Sequence, residues 1–133
     1  MPIYHSTEQL YDCLQTLFTR ILSESPDGLD SLSDSKLIFR FECTVPQGEF
    51  TINGRVKPVE THFGPTSIKP VLDIVLPADT LHGIMLGELG IMKSLGSGKL
   101  KIKGPMLKAK ALSDLFSHSQ TLYPQILREK GVL

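Results

Sequence analysis

Residues 71–116, VLDIVLPADTLHGIMLGELGIMKSLGSGKLKIKGPMLKAKALSDLF, decide the fold class of this chain. Val71 to Leu76 is apolar on both faces except at Asp73, a pattern that predicts an interior strand. Pro77-Ala78 ends it, and Asp79 is the expected N-cap of a helix running to about Leu89, striped by Leu81, Ile84, Met85 and Leu89. Gly90 interrupts that helix, and Ile91, Met92 and Leu95 form a short apolar connector bounded by Gly96 and Gly98. From Lys99 to Lys103 the period is two, with Leu100 and Ile102 inward and Lys99, Lys101 and Lys103 outward. A lysine row of this kind guards an edge strand against pairing with other chains. After Gly104, Pro105 at a first helical position opens another helix, with Leu107, Ala111, Leu112, Leu115 and Phe116 on its inner face.

Upstream, residues 7–24 carry Leu10, Leu14, Leu17 and Ile21 at helical spacing, and Ser6 followed by Gln9 is a capping-box pair. Pro26-Asp27-Gly28 stops this helix. From Lys36 the period changes to two: Leu37, Phe39, Phe41, Cys43 and Val45 share one face, Arg40, Glu42 and Thr44 the other, with Ile38 as the exception. Pro46-Gln47-Gly48 reads as a turn, and Phe50, Ile52 and Val56 continue the alternation, so the pair forms an antiparallel hairpin. Residues 57–70 read as a long loop with a short strand around Val59 to Phe63, and 121–130 as a last helix ending at Gly131. This order predicts one α+β domain: a mostly antiparallel sheet with helices on one face.

With 133 residues the chain has room for one core. Fourteen basic and fourteen acidic side chains cancel, which argues against a nucleic-acid binder. The balance is uneven: residues 1–60 carry five Lys/Arg against nine Asp/Glu, residues 61–133 the reverse excess, nine against five. The basic half suits an anionic headgroup, or simply forms a solvated face. Cys13 and Cys43 fall on apolar faces, as buried free thiols do, and no CxxC or Cys/His pairing suggests zinc. Neither an apolar leader nor a membrane-length apolar run is present, so a soluble cytoplasmic protein is expected.

Catalytic patterns are scarce. His5, His62, His82 and His118 lie in separate elements without the i, i+4 spacing of a helical metal site, and read as surface or loop histidines. Gly96-Ser97-Gly98-Lys99 fails as a phosphate loop, because Lys93 replaces the first glycine, Leu100 replaces Ser/Thr, and a strand follows. No G-x-S-x-G elbow occurs. Asp73 is the one polar oddity. A buried carboxylate there could serve as a general acid or base with a histidine, or it could be solvated or paired with a lysine such as Lys101 on a neighbouring strand. Met85, Met92 and Met106 around the glycine-rich connector suit packing against variable ligands.

Asp73 in VLDIVL, the acidic Asp79, the helix end at Gly87, the apolar Ile91–Leu95 connector, GKLKIKG at 98–104 and LKAKALSDLF at 107–116 together resemble the sterol carrier protein 2 family. The resemblance covers residues 71–116; the first helix and the hairpin with Phe39 and Phe41 agree in order only. It implies a five-stranded sheet under helices with a hydrophobic tunnel between the layers, and a ligand such as a sterol, fatty acid, acyl-CoA ester or phospholipid. Some relatives are accessory proteins in quinone biosynthesis or modules of larger enzymes. The chain departs from the pattern in three ways. Gly131-Val132-Leu133 is not a peroxisomal address, the connector lacks its usual proline, and an extra C-terminal helix follows at about 119–131.

The expectation is therefore a non-enzymatic lipid carrier without cofactor or metal. Phe39, Phe41, Leu81, Ile84, Met85, Leu112, Leu115 and Phe116 would contact the ligand, and Met92 and Leu95 would form a mobile lid. Lys99, Lys101 and Lys103 would face headgroups in transient contact with a membrane surface, although edge protection explains them equally well. Two alternatives remain: an accessory protein presenting a hydrophobic intermediate, such as a quinone precursor, to partner enzymes, and a small hydrolase or isomerase using Asp73 with a histidine.

Overall fold

Leu10, Cys13, Leu14, Leu17, Phe18 and Ile21 place one apolar stripe along the first helical segment, and all six are buried in α1 (Thr7–Glu24) of the computed structural model. The structure describes residues 3–24, 36–56, 59–105 and 110–132. The capping pair forms as the spacing predicts: Gln9 N–H donates to Ser6 Oγ at 3.1 Å, while Gln9 Oε1 reaches back to the amide of His5 at 2.7 Å.

β1 (Ile38–Thr44) and β2 (Gly48–Asn53) form the hairpin, followed by β3 (Glu60–Phe63) and β4 (Leu72–Pro77). Val45 and Val56 fall outside these strands and are exposed, so neither continues the inward face expected of it. β4 runs directly into α2 (Ala78–Leu86). Pro77, not Asp79, occupies the N-cap; Asp79 sits in the first turn and accepts the amide of Ile3 at 2.9 Å. The helix ends three residues before the expected Leu89, at Gly87, whose φ of 82° is the left-handed conformation that closes a C-terminus.

The apolar connector is itself a one-turn helix, α3 (Ile91–Gly96), and β5 is shorter than expected, Lys101–Lys103. The two C-terminal helices expected from sequence are one: α4 runs unbroken from Lys110 to Glu129 with Pro124 inside it. A helical proline removes a hydrogen bond and costs roughly 3 kcal/mol, but Tyr123, Ile126 and Leu127 around it are fully buried. Their burial, at about 1.5–3 kcal/mol each for the aliphatic pair, outweighs that cost. Pro105, the expected first helical position, stands outside any helix, and Met106 and Leu107 fall in 106–109, outside the described residues.

The sheet order is β3-β2-β1-β4-β5, with β1–β4 parallel and every other pair antiparallel. Register places two contrasting rows one residue apart. Phe63–Phe50–Phe41–Ile74–Ile102 cross all five strands on the face toward the helices; His62–Thr51–Arg40–Asp73–Lys103 cross them on the other. Because side chains alternate, a one-residue slip of any strand would exchange an apolar residue for a polar one. Gly104, with φ 126°, turns the chain out of β5; a Cβ there would lie 2.4 Å from the Val71 carbonyl oxygen.

Candidate functional site: a one-sided apolar layer

Among the described residues, helices α1, α2 and α4 pack their buried apolar side chains on the phenylalanine-bearing face. Phe41 stacks on Phe50 with ring centroids 4.7 Å apart and meets Phe116 edge-on at 6.0 Å; Phe18 of α1 approaches Phe50 at 6.0 Å. The sequence-derived residues Phe39, Phe41, Leu81, Ile84, Met85, Leu112, Leu115 and Phe116 all belong to this single core, each at most 6% exposed. They come from β1, α2 and α4, elements far apart along the chain.

The expected lid residues separate. Leu95 is half-buried against the core together with Leu89 and Ile91, whereas Met92 is 63% exposed. α3 is anchored from its middle: Ser94 is buried and its carbonyl accepts the amides of Lys99 at 2.8 Å and Leu100 at 3.3 Å. All three lysines are exposed but do not share a surface. Lys99 lines a groove of about 380 Å³ with Leu89, Lys93 and Ser97 beside α3, while Lys101 and Lys103 project from the sheet face away from the helices.

That opposite face is polar, with one ion pair near its centre. Arg40 Nη2 donates to Asp73 Oδ2 at 2.5 Å, so the expected partner Lys101 is displaced; Lys101 stands opposite Val75, and Lys103 opposite Asp73. The hydrogen bond to Asp73 pushes the Arg40 guanidinium up from its already high ordinary value. Among the described residues, Arg40 Nε, Thr51 Oγ1 and Asp73 Oδ1 are buried without a hydrogen-bond partner, three atoms of one cross-strand row, while His62 Nε2 lies 3.4 Å from Glu60 Oε2. Burial, reinforced by Asp73, pushes the Glu42 carboxyl above the usual carboxylate range, and Glu49 stands directly opposite it on β2. A groove of about 670 Å³ opens here, lined by Tyr11, Glu42, Glu49, Pro65, Val75 and Lys103 among others.

The acid–base pair considered from sequence does not come together. Asp73 and His62 are three strand spacings apart, about 14 Å, and His82 lies on α2 across the sheet from both. Among the described residues no group of three His, Cys, Asp or Glu could hold a metal ion, and no helix is long and apolar enough to cross a membrane. Cys13 and Cys43 are buried free thiols, and burial pushes Cys43 up to about 12.

One polar cluster lies inside the apolar layer, and sequence reasoning missed it. Tyr4 and Tyr123 are fully buried and hydrogen-bonded through their hydroxyls, and Tyr123 Oη lies 2.7 Å from Nδ1 of His82. His82 is thus half-buried and partnered rather than a surface histidine. Burial pushes both phenols well above the ordinary tyrosine range and lowers His82, against the opposing pull of Glu88 and Asp79. The available signal was an aromatic residue, Tyr4, standing just ahead of a helix cap in a segment without other structure.

The model of the SCP-2 sterol transfer family matches residues 17–117. The fold is similar to the solution structure of the sterol carrier protein domain 2 of Helicoverpa armigera, at 19% identity, with a TM-score of 0.68 over 84% of this chain and 88% of that one. It is also similar to the apo form of sterol carrier protein 2 from Yarrowia lipolytica, at 16% identity and a TM-score of 0.65 over 86% and 91% of the two chains. A third likeness, at 14% identity and a TM-score of 0.58 over 81% and 86%, is to a structure described as UbiJ-SCP2 Ubiquinone synthesis protein. No curated protein sequence matches.

Proposed function

Since the chain belongs to the SCP-2 sterol transfer family, we propose that it is a lipid carrier without catalytic chemistry, holding the apolar part of its guest between the sheet and the helices. The observation that carries this reading is the convergence of the eight core residues on one sheet face, under a rim closed by a helix that is only half engaged. Residues so deeply buried are reached only if α3 lifts or the helices part from the sheet. Gly87, Gly90, Gly96 and Gly98 bracket α3 and its approach, supplying the backbone freedom for that movement.

The magnitudes favour entry. Fully exposing the half-buried Ile91 and Leu95 costs about 1 kcal/mol each, whereas each methylene buried by a guest contributes about 0.8 kcal/mol. Ten methylenes would return roughly 8 kcal/mol, enough to offset lid opening with a surplus for binding. The guest class is a sterol, fatty acid, acyl-CoA ester or phospholipid in a soluble, cytoplasmic setting. Met92 with Lys93 and Lys99 forms the side that meets an anionic membrane during loading; Lys101 and Lys103, on the other face, protect the edge strand.

Titration of the delipidated protein with cis-parinaric acid and dehydroergosterol, alongside native mass spectrometry of the protein as purified, tests the reading. Saturable one-to-one uptake of at least one probe is expected. A protein that carries no lipid and takes up neither probe would refute it. A second reading, presentation of a hydrophobic intermediate such as a quinone precursor to an enzyme, is favoured by the 670 Å³ groove, which leaves a sheet surface for a protein partner. That reading predicts stable co-purification with the enzyme and slow lipid exchange between vesicles.

A further inference from the structure

Within the apolar layer the Tyr4–Tyr123–His82 chain joins three elements: the segment before α1, α4 and α2. The segment carrying Tyr4 is lightly held. Besides the phenol and the half-buried Ile3 side chain, its attachments among the described residues are the Ile3 amide on Asp79 and the His5 amide on the Gln9 side chain, both at exposed positions. The phenol itself is fully buried, with its ring edge-on to His82 at a centroid distance of 6.3 Å. Tyr4 thus places a ring and one hydroxyl inside the core that contains Leu81, Ile84, Met85 and Leu115.

We propose that Tyr123 with His82 is the anchoring site for the hydroxyl of a neutral ring-bearing lipid, and that Tyr4 is the chain's own occupant of that site, displaced as the guest enters. The proposal rests on the carrier reading and specifies the polar end of its guest. Tyr123 Oη has one proton and two lone pairs, and His82 Nδ1 donates or accepts according to its tautomer. The pair can therefore accept a hydrogen bond from the guest's hydroxyl or donate one to it, as it does with Tyr4. An ionised carboxylate fits badly. The nearest charges acting on His82 are Glu88 and Asp79, both acidic, and burial opposes a positive imidazole there. Such a guest would bring a bare negative charge into an apolar layer without a cation, which is costly. A sterol and an alkylated phenol share the required chemistry, a neutral hydroxyl on a hydrophobic ring.

The test compares dehydroergosterol, 4-dodecylphenol and cis-parinaric acid on wild type, Tyr123→Phe, Tyr4→Phe and Tyr4→Ala. Tyr123→Phe keeps the ring and removes the anchor; it is expected to weaken the hydroxylated probes about 3- to 10-fold, the worth of one hydrogen bond, and to leave cis-parinaric acid within about twofold. Tyr4→Ala removes the internal competitor and should tighten the hydroxylated probes about tenfold or more. If that variant fails to fold, Tyr4→Phe, which loses only the hydroxyl, should still tighten them by a smaller factor. The hydroxylated probe that responds more strongly distinguishes a sterol from a phenol. Equal effects of Tyr123→Phe on all three probes, or no tightening in either Tyr4 variant, would overturn the anchor while leaving the carrier reading standing. Failure of every protein to bind any probe would remove both.

Discussion

Arg40 and Asp73 face each other across β1 and β4, the one parallel junction described in the sheet, and their energetics can be measured by a double-mutant cycle. Asp73 has a side chain 12% exposed and Arg40 one 28% exposed. Removing one member of a fully buried pair costs 3–5 kcal/mol, because the other is left without compensation; an exposed pair is worth less than about 1 kcal/mol. The intermediate burial here places Asp73→Ala at about 2–3 kcal/mol. At a urea m-value of about 2 kcal/mol/M, typical of this size, the midpoint should fall by roughly 1–1.5 M. The double replacement Arg40→Leu/Asp73→Leu removes both charges and should lie within about 1 kcal/mol of wild type. Urea melts of wild type, Arg40→Leu, Asp73→Leu and the double variant, followed by circular dichroism, give the cycle, with Asp73→Ala measured beside them. The reasoning fails if Asp73→Ala shifts the midpoint by less than about 0.3 M, or if the double variant is as unstable as the two singles added together. A structural pair also implies unchanged uptake of cis-parinaric acid in any variant that folds, whereas a catalytic Asp73 would tie it to substrate handling.

Two further perturbations test the opposite sheet face and the exit from β5. Glu42 has a folded-state pKa raised by burial and by Asp73, so its contribution is fully present below the unfolded carboxylate pKa and is lost as pH rises through the raised value. Glu42→Gln should therefore stabilise the protein at pH 7 by about 0.5 kcal/mol, relieving the cross-strand repulsion from Glu49, with the gain gone near about pH 4; melts at both pH values check it, and a gain that grows toward acid would contradict the sign. Gly104→Ala must place a Cβ 2.4 Å from the Val71 carbonyl at a φ of 126°, which predicts a loss of about 3 kcal/mol and a fall in melting temperature of about 10 °C by calorimetry; a change under about 3 °C would mean the backbone relaxes freely there.

Much of the fold was legible because periodicity reports which face a residue occupies. The stripe from Leu10 to Ile21, the alternation from Leu37 to Cys43 and the apolar run Leu72–Leu76 appear in the structure as the elements their periods predict. Periodicity does not report partners. Nothing in VLDIVL says that this strand pairs in parallel with β1, so the partner of Asp73 was beyond reach: Lys101 and Arg40 are equally good carboxylate partners until the register is known. The C-terminal helix was divided for a different reason. Ser117, Gln120 and Pro124 break the local pattern, but Phe116, Ser119, Tyr123 and Ile126 are buried at helical spacing through it, and tertiary burial overrides weak propensity.

The apolar residues of the candidate site were readable for the same reason the core was, since a ligand wall and a core obey one rule: apolar side chains on one face. That rule cannot identify the polar atoms a guest meets, because those depend on which distant segments converge. Tyr4 and Tyr123 are 119 positions apart, and only folding brings their hydroxyls together. The same convergence separates two kinds of polarity. Charged and polar side chains gather in the row His62–Thr51–Arg40–Asp73–Lys103 and its neighbours Glu42 and Glu49, on the sheet face opposite the phenylalanine row. The layer beneath the helices admits phenols and an imidazole that burial holds neutral. A sheet with charge on one side and neutral hydrogen-bonding groups on the other keeps ion pairing away from the apolar layer, so under the proposed carrier role a guest there would be selected by shape and by neutral polar contacts rather than by charge.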